Sequence, residues 1–185
     1  MTGIPRGASA LAYRRVSGDE VRDWLLASAP NAAEVRMSWD DFGVALLQCG
    51  AVFTAVRISG DLVHAAIGSA DPRMVSAYLR ELVGGPVVAD QHGCMRYYAL
   101  VPVSTVERHE WVDRAHVPYA DCMTDGHVGI PRPGITEPGD CFTYWCVPIE
   151  RPGSLCDPGT VSALIAHGKY RIKAGAGDGG EYRGC

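Results

Sequence analysis

The sequence predicts an α+β domain, and three observations carry that reading. Two short apolar runs, Val87-Val88-Ala89 and Tyr97 to Val101, flank the polar turn Asp90-Gln91-His92-Gly93, as in a β-hairpin. Two Asp-Pro pairs, Asp71-Pro72 and Asp157-Pro158, each stand before an apolar stripe at helical spacing. A capping acid followed by proline in the first turn is a strong helix start. Three more apolar segments, Gly43 to Gly50, Val52 to Ile58 and Cys141 to Val147, have the length and composition of strands.

Taken in order, residues 1–17 lack periodicity and read as a loose arm carrying Arg6, Arg14 and Arg15. Gly18-Asp19-Glu20 opens a helix with Val21, Trp24, Leu25 and Ala29 on one face, stopped by Pro30 and Asn31. Its acidic start suits the helix dipole. The strands at 43–50 and 52–58 follow, the second alternating in side-chain type. Gly60-Asp61 starts a short apolar helix that runs through Ile67. The next helix, over 72–83, presents Val75, Leu79 and Leu82 to the sheet and ends at Gly84-Gly85. Beyond the hairpin, Ser104 to Trp111 fits helix or loop, and Val117 to Asp140 is dense in Gly and Pro, with a short strand over His127 to Ile130. The helix after Pro158 carries Val161, Leu164 and Ile165 and is expected to end at Gly168. Residues 18–170 thus read as one domain and 171–185 as a flexible Gly-rich tail. The strands at 43–49, 52–58, 86–89, 95–101 and 141–147 are expected to form one connected system.

Composition narrows the function. Of the 185 residues, 47% are hydrophobic and 21% charged, the balance of a soluble globular chain. No run approaches the roughly 18 apolar residues of a membrane span, and no leader is evident at the start, so a cytoplasmic protein is expected. A net charge of −4 argues against a protein that coats nucleic acid by bulk charge, while leaving room for a local basic patch. The seven cysteines are read as reduced thiols, several of them small buried hydrophobes. No Walker-type loop and no dinucleotide fingerprint occurs.

Four passages in sequence, CGAVFTAVRIS, GPVVADQHGCMRYYALVP, DGHVGIPRP and YWCVP…GSLCDPGTVSALI, resemble the primase-polymerase (prim-pol) domain of the archaeo-eukaryotic primase superfamily, in its small actinobacterial form. Together they span about residues 37–168. The resemblance implies an RRM-like mixed or antiparallel sheet with helices packed on it, binding nucleotide and template. It also implies a divalent metal, Mg or Mn, held by two carboxylates on one strand and a third elsewhere for phosphoryl transfer. Here Thr54-Ala55-Val56 stands where the paired acids belong, and Arg96 where the hairpin has its histidine, with His92 in the turn. Asp121 and Asp125 are the candidates for the third acid. The expectation is therefore a catalytically degenerate domain acting as a nucleotide-binding, nucleic-acid-binding or protein-interaction module. One alternative is a working nucleotidyltransferase whose acids are Asp40, Asp41, Asp90 and Asp121. The other is a purely structural or regulatory interaction protein.

The residues that would hold a phosphate are Arg57 and Arg96, on strands that the resemblance makes neighbours, reinforced by Arg73 and Arg80 on a helix and with His92 in the turn, since a guanidinium fork matches phosphate. The plainer reading pairs them with Glu81, Asp90 or Glu107 as surface charge. Tyr97 is the candidate to stack a base, with Tyr98 and Trp145 placed in the core. Adjacent tyrosines on a strand must face opposite ways. Cys141 and Cys146, with Cys122 and His127, bring zinc to mind, but two thiols five positions apart on a strand point to opposite faces. Cysteine catalysis through Cys94 with His92, or Cys122 with His127, rests on sequence proximity alone. His64 reads as a packed histidine.

Overall fold

The structure is a computed structural model that describes residues 18–107, 120–123, 126–139 and 141–176. The expected arm at 1–17, Asp125 and most of the tail lie outside those residues. The α+β class holds, with every strand pairing antiparallel. No helix among the described residues is long and apolar enough to cross a membrane.

Helix α1 (Gly18–Leu26) buries Val21, Leu25 and Leu26. Asn31 does not merely stop it. Its side chain accepts from Ala33 N at 3.1 Å and Glu34 N at 3.5 Å, opening a second helix, α2 (Ala32–Phe42). Strand β1 (Val44–Gln48) follows, then β2 (Thr54–Ser59), which passes directly into α3 (Gly60–Ile67) with Ser59 as cap. Asp71 caps α4 (Pro72–Val83) by accepting from Arg73 N and Met74 N, both at 3.0 Å. The hairpin is β3 (Val87–Asp90) and β4 (Arg96–Val101), and β4 leads into a 3-10 turn over Val103–Glu107. The Gly- and Pro-rich stretch contributes β5 (Ala120–Cys122) and β6 (His127–Pro131), and β7 (Thr143–Val147) and α5 (Pro158–Ala176) complete the chain.

Five strands form the main sheet in the order β5-β2-β4-β3-β7. The pairing of β2 with β4 matches the expected arrangement, with Thr54 opposite Val101 and Ser59 opposite Arg96. The expectation for β1 fails. It leaves the main sheet and pairs with β6 as a separate two-stranded sheet. The reason is burial: Ala45 and Leu47 pack against Ala55, Leu100 and Trp145, so β1 lies across the sheet's face rather than at its edge.

Three layers result. On one face of the main sheet Val56, Ile58, Tyr97, Ala99 and Val101 meet α3, α4 and α5. On the other, Ala55, Val88, Leu100 and Trp145 meet the small sheet, α1 and α2. Helix α4 packs through Val75, Leu79 and Val83, with Leu82 only partly buried. Gly168 does not end α5, which continues eight residues further and carries helix into the expected tail. A Cβ at Gly168 would lie 2.6 Å from Leu62 Cδ2, so this glycine marks where α5 closes on α3.

Candidate functional site

The small sheet and its helices cover one half of the sheet's second face. The rest of that face, over which no described element packs, collects the polar residues of β2, β4, β5 and the hairpin turn. Register decides the collection. Arg57 stands opposite Tyr98 on β4 and opposite Asp121 on β5, and Arg96 stands opposite Ser59 and Asp90. Since side chains alternate along a strand, Arg57, Tyr98, Arg96, Asp90 and Asp121 share this face.

Each of the two carboxylates already has partners. Arg57 donates through Nε to Asp121 Oδ1 at 2.8 Å and through Nη2 to Oδ2 at 3.1 Å, a bidentate pair. The two side chains keep 46% and 44% of their exposure, so solvent screens the pair and its contribution to stability is small. Asp90 Oδ1 accepts from His92 N at 3.0 Å, meets His92 Nδ1 at 2.8 Å and receives Thr143 Oγ1 at 3.4 Å. It therefore ties down the hairpin turn rather than neutralising Arg96. Arg96 is exposed and makes no ion pair among the described residues. Tyr98 is half-buried between these groups. Burial pushes its phenol up, Asp90 adds to this, and Arg96 and Arg57 pull the other way, so it remains a neutral O–H donor at physiological pH. His92 meets the exposed Phe142 edge-on, with ring centroids 5.0 Å apart.

The two tyrosines exchange the placements read from the sequence: Tyr97 is in the core and Tyr98 only partly buried on the other face. Tyr97 is 2% exposed and faces the helices, so it cannot stack a base. Its hydroxyl lies 3.0 Å from His64 Nε2. Burial raises the phenol's pKa and lowers that of His64, against a weaker upward pull from Asp61 on the histidine. The Tyr97 hydroxyl thus shares a hydrogen bond with a neutral imidazole. A histidine whose folded pKa is depressed takes up its proton more readily when unfolded, so its contribution is complete above about pH 6.5 and shrinks as pH falls below that. Thermal unfolding midpoints of the wild type should decline across that range. His64→Gln should flatten this part of the profile, and an unchanged profile would mean that the histidine is not held neutral.

Arg73 and Arg80 also change place. They sit on α4, on the helix side of the sheet, and cannot reinforce Arg57 and Arg96 through it. With Ser76 they line a cleft of about 630 Å³ that Glu137 also borders. On its floor Cys146 Sγ lies 3.2 Å from Ser76 Oγ, and burial pushes this thiol up. Two further thiols are similarly placed: burial pushes Cys122 up to about 11 and Cys156 to about 12, leaving both protonated and unreactive at neutral pH.

Metal chemistry finds little to use among the described residues. No three His, Cys, Asp or Glu side chains there are grouped to hold an ion. Val56 points into the helix-side core, and Thr54 shares its side of β2, where its hydroxyl donates to Met123 O. The positions where the resemblance would place paired acids thus face away from Arg57 and Arg96. Asp90 and Asp121 are three strands apart, about 14 Å at ordinary strand spacing, whereas paired catalytic metals sit about 4 Å apart. Asp40 lies on α2, 3.8 Å from Arg132 Nη1. No protein-family model, no curated protein and no solved structure matches the chain.

Proposed function

We propose that the open half of the sheet binds a phosphate-bearing ligand, a nucleotide or a short single strand of nucleic acid, and does not turn it over. In this reading the chain is a catalytically inactive relative of the prim-pol domains. The observation that carries it is Tyr98 set between Arg57 and Arg96 on one solvent-facing stretch of sheet. An aromatic ring offers a surface to any base, and a guanidinium with no carboxylate partner offers two donors to a phosphate. Arg57 is held in place by Asp121 and would position the ring side of the ligand, with Arg96 taking the charge. His92 stands at the rim beside Phe142 as a second donor. The nucleotidyltransferase alternative would need carboxylates that converge, and the described ones are spread over α2, β3 and β5.

The test is fluorescence anisotropy with labelled single-stranded oligonucleotides and with nucleotides, at several salt concentrations. Affinity should fall as salt rises. Arg96→Ala should cost about 1.5–3 kcal/mol of binding, as for a charge-assisted hydrogen bond, and should leave the unfolding midpoint nearly unchanged because the side chain is exposed. Binding that is absent in the wild type at low salt, together with a destabilised Arg96→Ala, would make this arginine a structural residue and end the proposal.

A further inference from the structure

A second surface, on the small sheet, is built to accept a strand. In β1 the pairing with β6 runs through alternate residues. Arg132 N donates to Gly43 O at 2.8 Å and Cys49 N to Gly126 O at 3.0 Å, so the odd-numbered residues between them, Ala45 and Leu47, turn their backbone groups toward β6. Val44, Leu46 and Gln48 then direct their N–H and C=O groups to the opposite edge, where they meet no partner among the described residues. That edge is also apolar. Leu46 is 67% exposed and Phe42, at the end of α2, is 72% exposed. Proteins usually blunt an edge of this kind with charge, proline or a bulge.

Alongside the edge runs a groove of about 500 Å³, walled on its far side by Val35, Ser38 and Phe42 of α2 and on the near side by Val44 and Leu46. A free edge facing a helix across a groove is the geometry in which an extended peptide adds as a strand. Its backbone would bond to Val44, Leu46 and Gln48. Alternate side chains would reach Val35 and Phe42 on one side and Leu46 on the other. One end carries charge. Glu34, held by Asn31 Nδ2 at 2.7 Å, lines the groove together with His127, and no lysine or arginine among the described residues lines it.

We infer that this groove binds an extended segment of a partner protein, with apolar side chains at alternate positions and a lysine or arginine at the end that meets Glu34. The backbone spacing requires a polypeptide, and the lone carboxylate selects the basic end. A second copy of the chain fits less well, since β1 itself reads VALLQ and brings no cation to Glu34.

The test pans a random heptapeptide library on phage against the full chain, then measures the enriched peptides on variants. Leu46→Pro removes one outward N–H and leaves the β6 ladder intact, the setting in which edge strands tolerate proline. Enriched peptides should show the alternating pattern with a basic end, and should bind Leu46→Pro about tenfold more weakly, the scale of one lost hydrogen bond. Glu34→Gln should erase the basic preference alone. If Leu46→Pro has a lowered unfolding midpoint, Leu46→Lys, which keeps every backbone donor and guards the edge by charge, is measured in its place. Failure to enrich any sequence, or equal binding to wild type and variant, overturns the assignment. Self-association of the wild type that the variant abolishes overturns it too, giving the edge to a second copy.

Discussion

Replacing Gly85 with alanine should cost about 3 kcal/mol or more, while the same change one residue earlier should cost about 1 kcal/mol. The difference lies in what crosses the chain there. Residues 155–157 pass over the end of α4: Cys156 N donates to Leu100 O at 2.8 Å and Asp157 N to Val83 O at 3.3 Å. Pro86 O accepts from both Leu100 N at 3.1 Å and Cys156 Sγ at 3.3 Å. A Cβ on Gly85 would run into the backbone of Leu155 and Cys156, with Cys156 Cα 2.7 Å away. Backbone pinned from two sides cannot step aside without giving up a buried hydrogen bond, so overpacking and bond loss add. At Gly84, by contrast, a Cβ would meet nothing within 4 Å, and the cost is only that of its left-handed backbone, φ +63°. Urea unfolding followed by circular dichroism measures both. Equal losses at the two positions would show that the crossing segment yields.

The same two glycines show what local sequence can and cannot carry. Gly84-Gly85 was legible as a helix stop, and Asp71-Pro72 as a helix start, because caps and stops act within one turn. The crossing at Gly85 depends on residues 70 positions away and leaves no local trace. Gly168 misled for the same reason: its lack of a side chain serves contact with Leu62, not termination. Helix α2 buries only Val35 and Trp39, a stripe too thin for periodicity to register. The available signal was Asn31 with Glu34 three residues on, a capping pair. Strand β1 was recognised, but its partner β6 begins nearly 80 residues later, and alternation along one strand says nothing about which strand it meets.

The candidate site divides along the same line. That Arg57 and Arg96 lie on paired strands followed from the order of the passages. That Tyr97 and Tyr98 face opposite ways followed from geometry. Which one faces the core did not follow, because Tyr97 to Val101 is apolar throughout and offers no alternation to read. Only Val56 and Ile58, packed against the helices, settle it. The Arg57–Asp121 pair was beyond reach, since it joins strands from distant parts of the chain. The edge of β1 was beyond reach too, for an edge is defined by a neighbour that is missing.

Trp145→Ala should be among the most destabilising single changes on the covered half of the sheet, costing about 3–5 kcal/mol. Trp145 is 2% exposed, and its Nε1 donates to Pro131 O at 3.0 Å. Next to it in β6, Ile130 O accepts from Trp39 Nε1 at 2.9 Å. Two indoles, one from the main sheet and one from α2, thus hold consecutive carbonyls of a strand that has only β1 as its sheet partner among the described residues. Truncation removes the ring's packing against Val88 and Leu100 and leaves the Pro131 carbonyl buried without its donor. Trp145→Phe separates the two effects, because it keeps most of the apolar volume and loses only the N–H, for about 1–3 kcal/mol. Against a total stability of about 5–15 kcal/mol for a domain of this kind, the alanine change consumes a large share. Hydrogen exchange locates the damage: the amides of Ala45, Leu47, Val128 and Ile130, which pair across the small sheet, should lose protection first, ahead of those in β2 and β4. Uniform loss across both sheets would instead mean that the small sheet has no stability of its own to lose. Because Arg96 and Tyr98 lie on the uncovered half, ligand affinity measured below the unfolding transition should change less than stability does, and a parallel collapse of both would show that the two halves of the face are coupled.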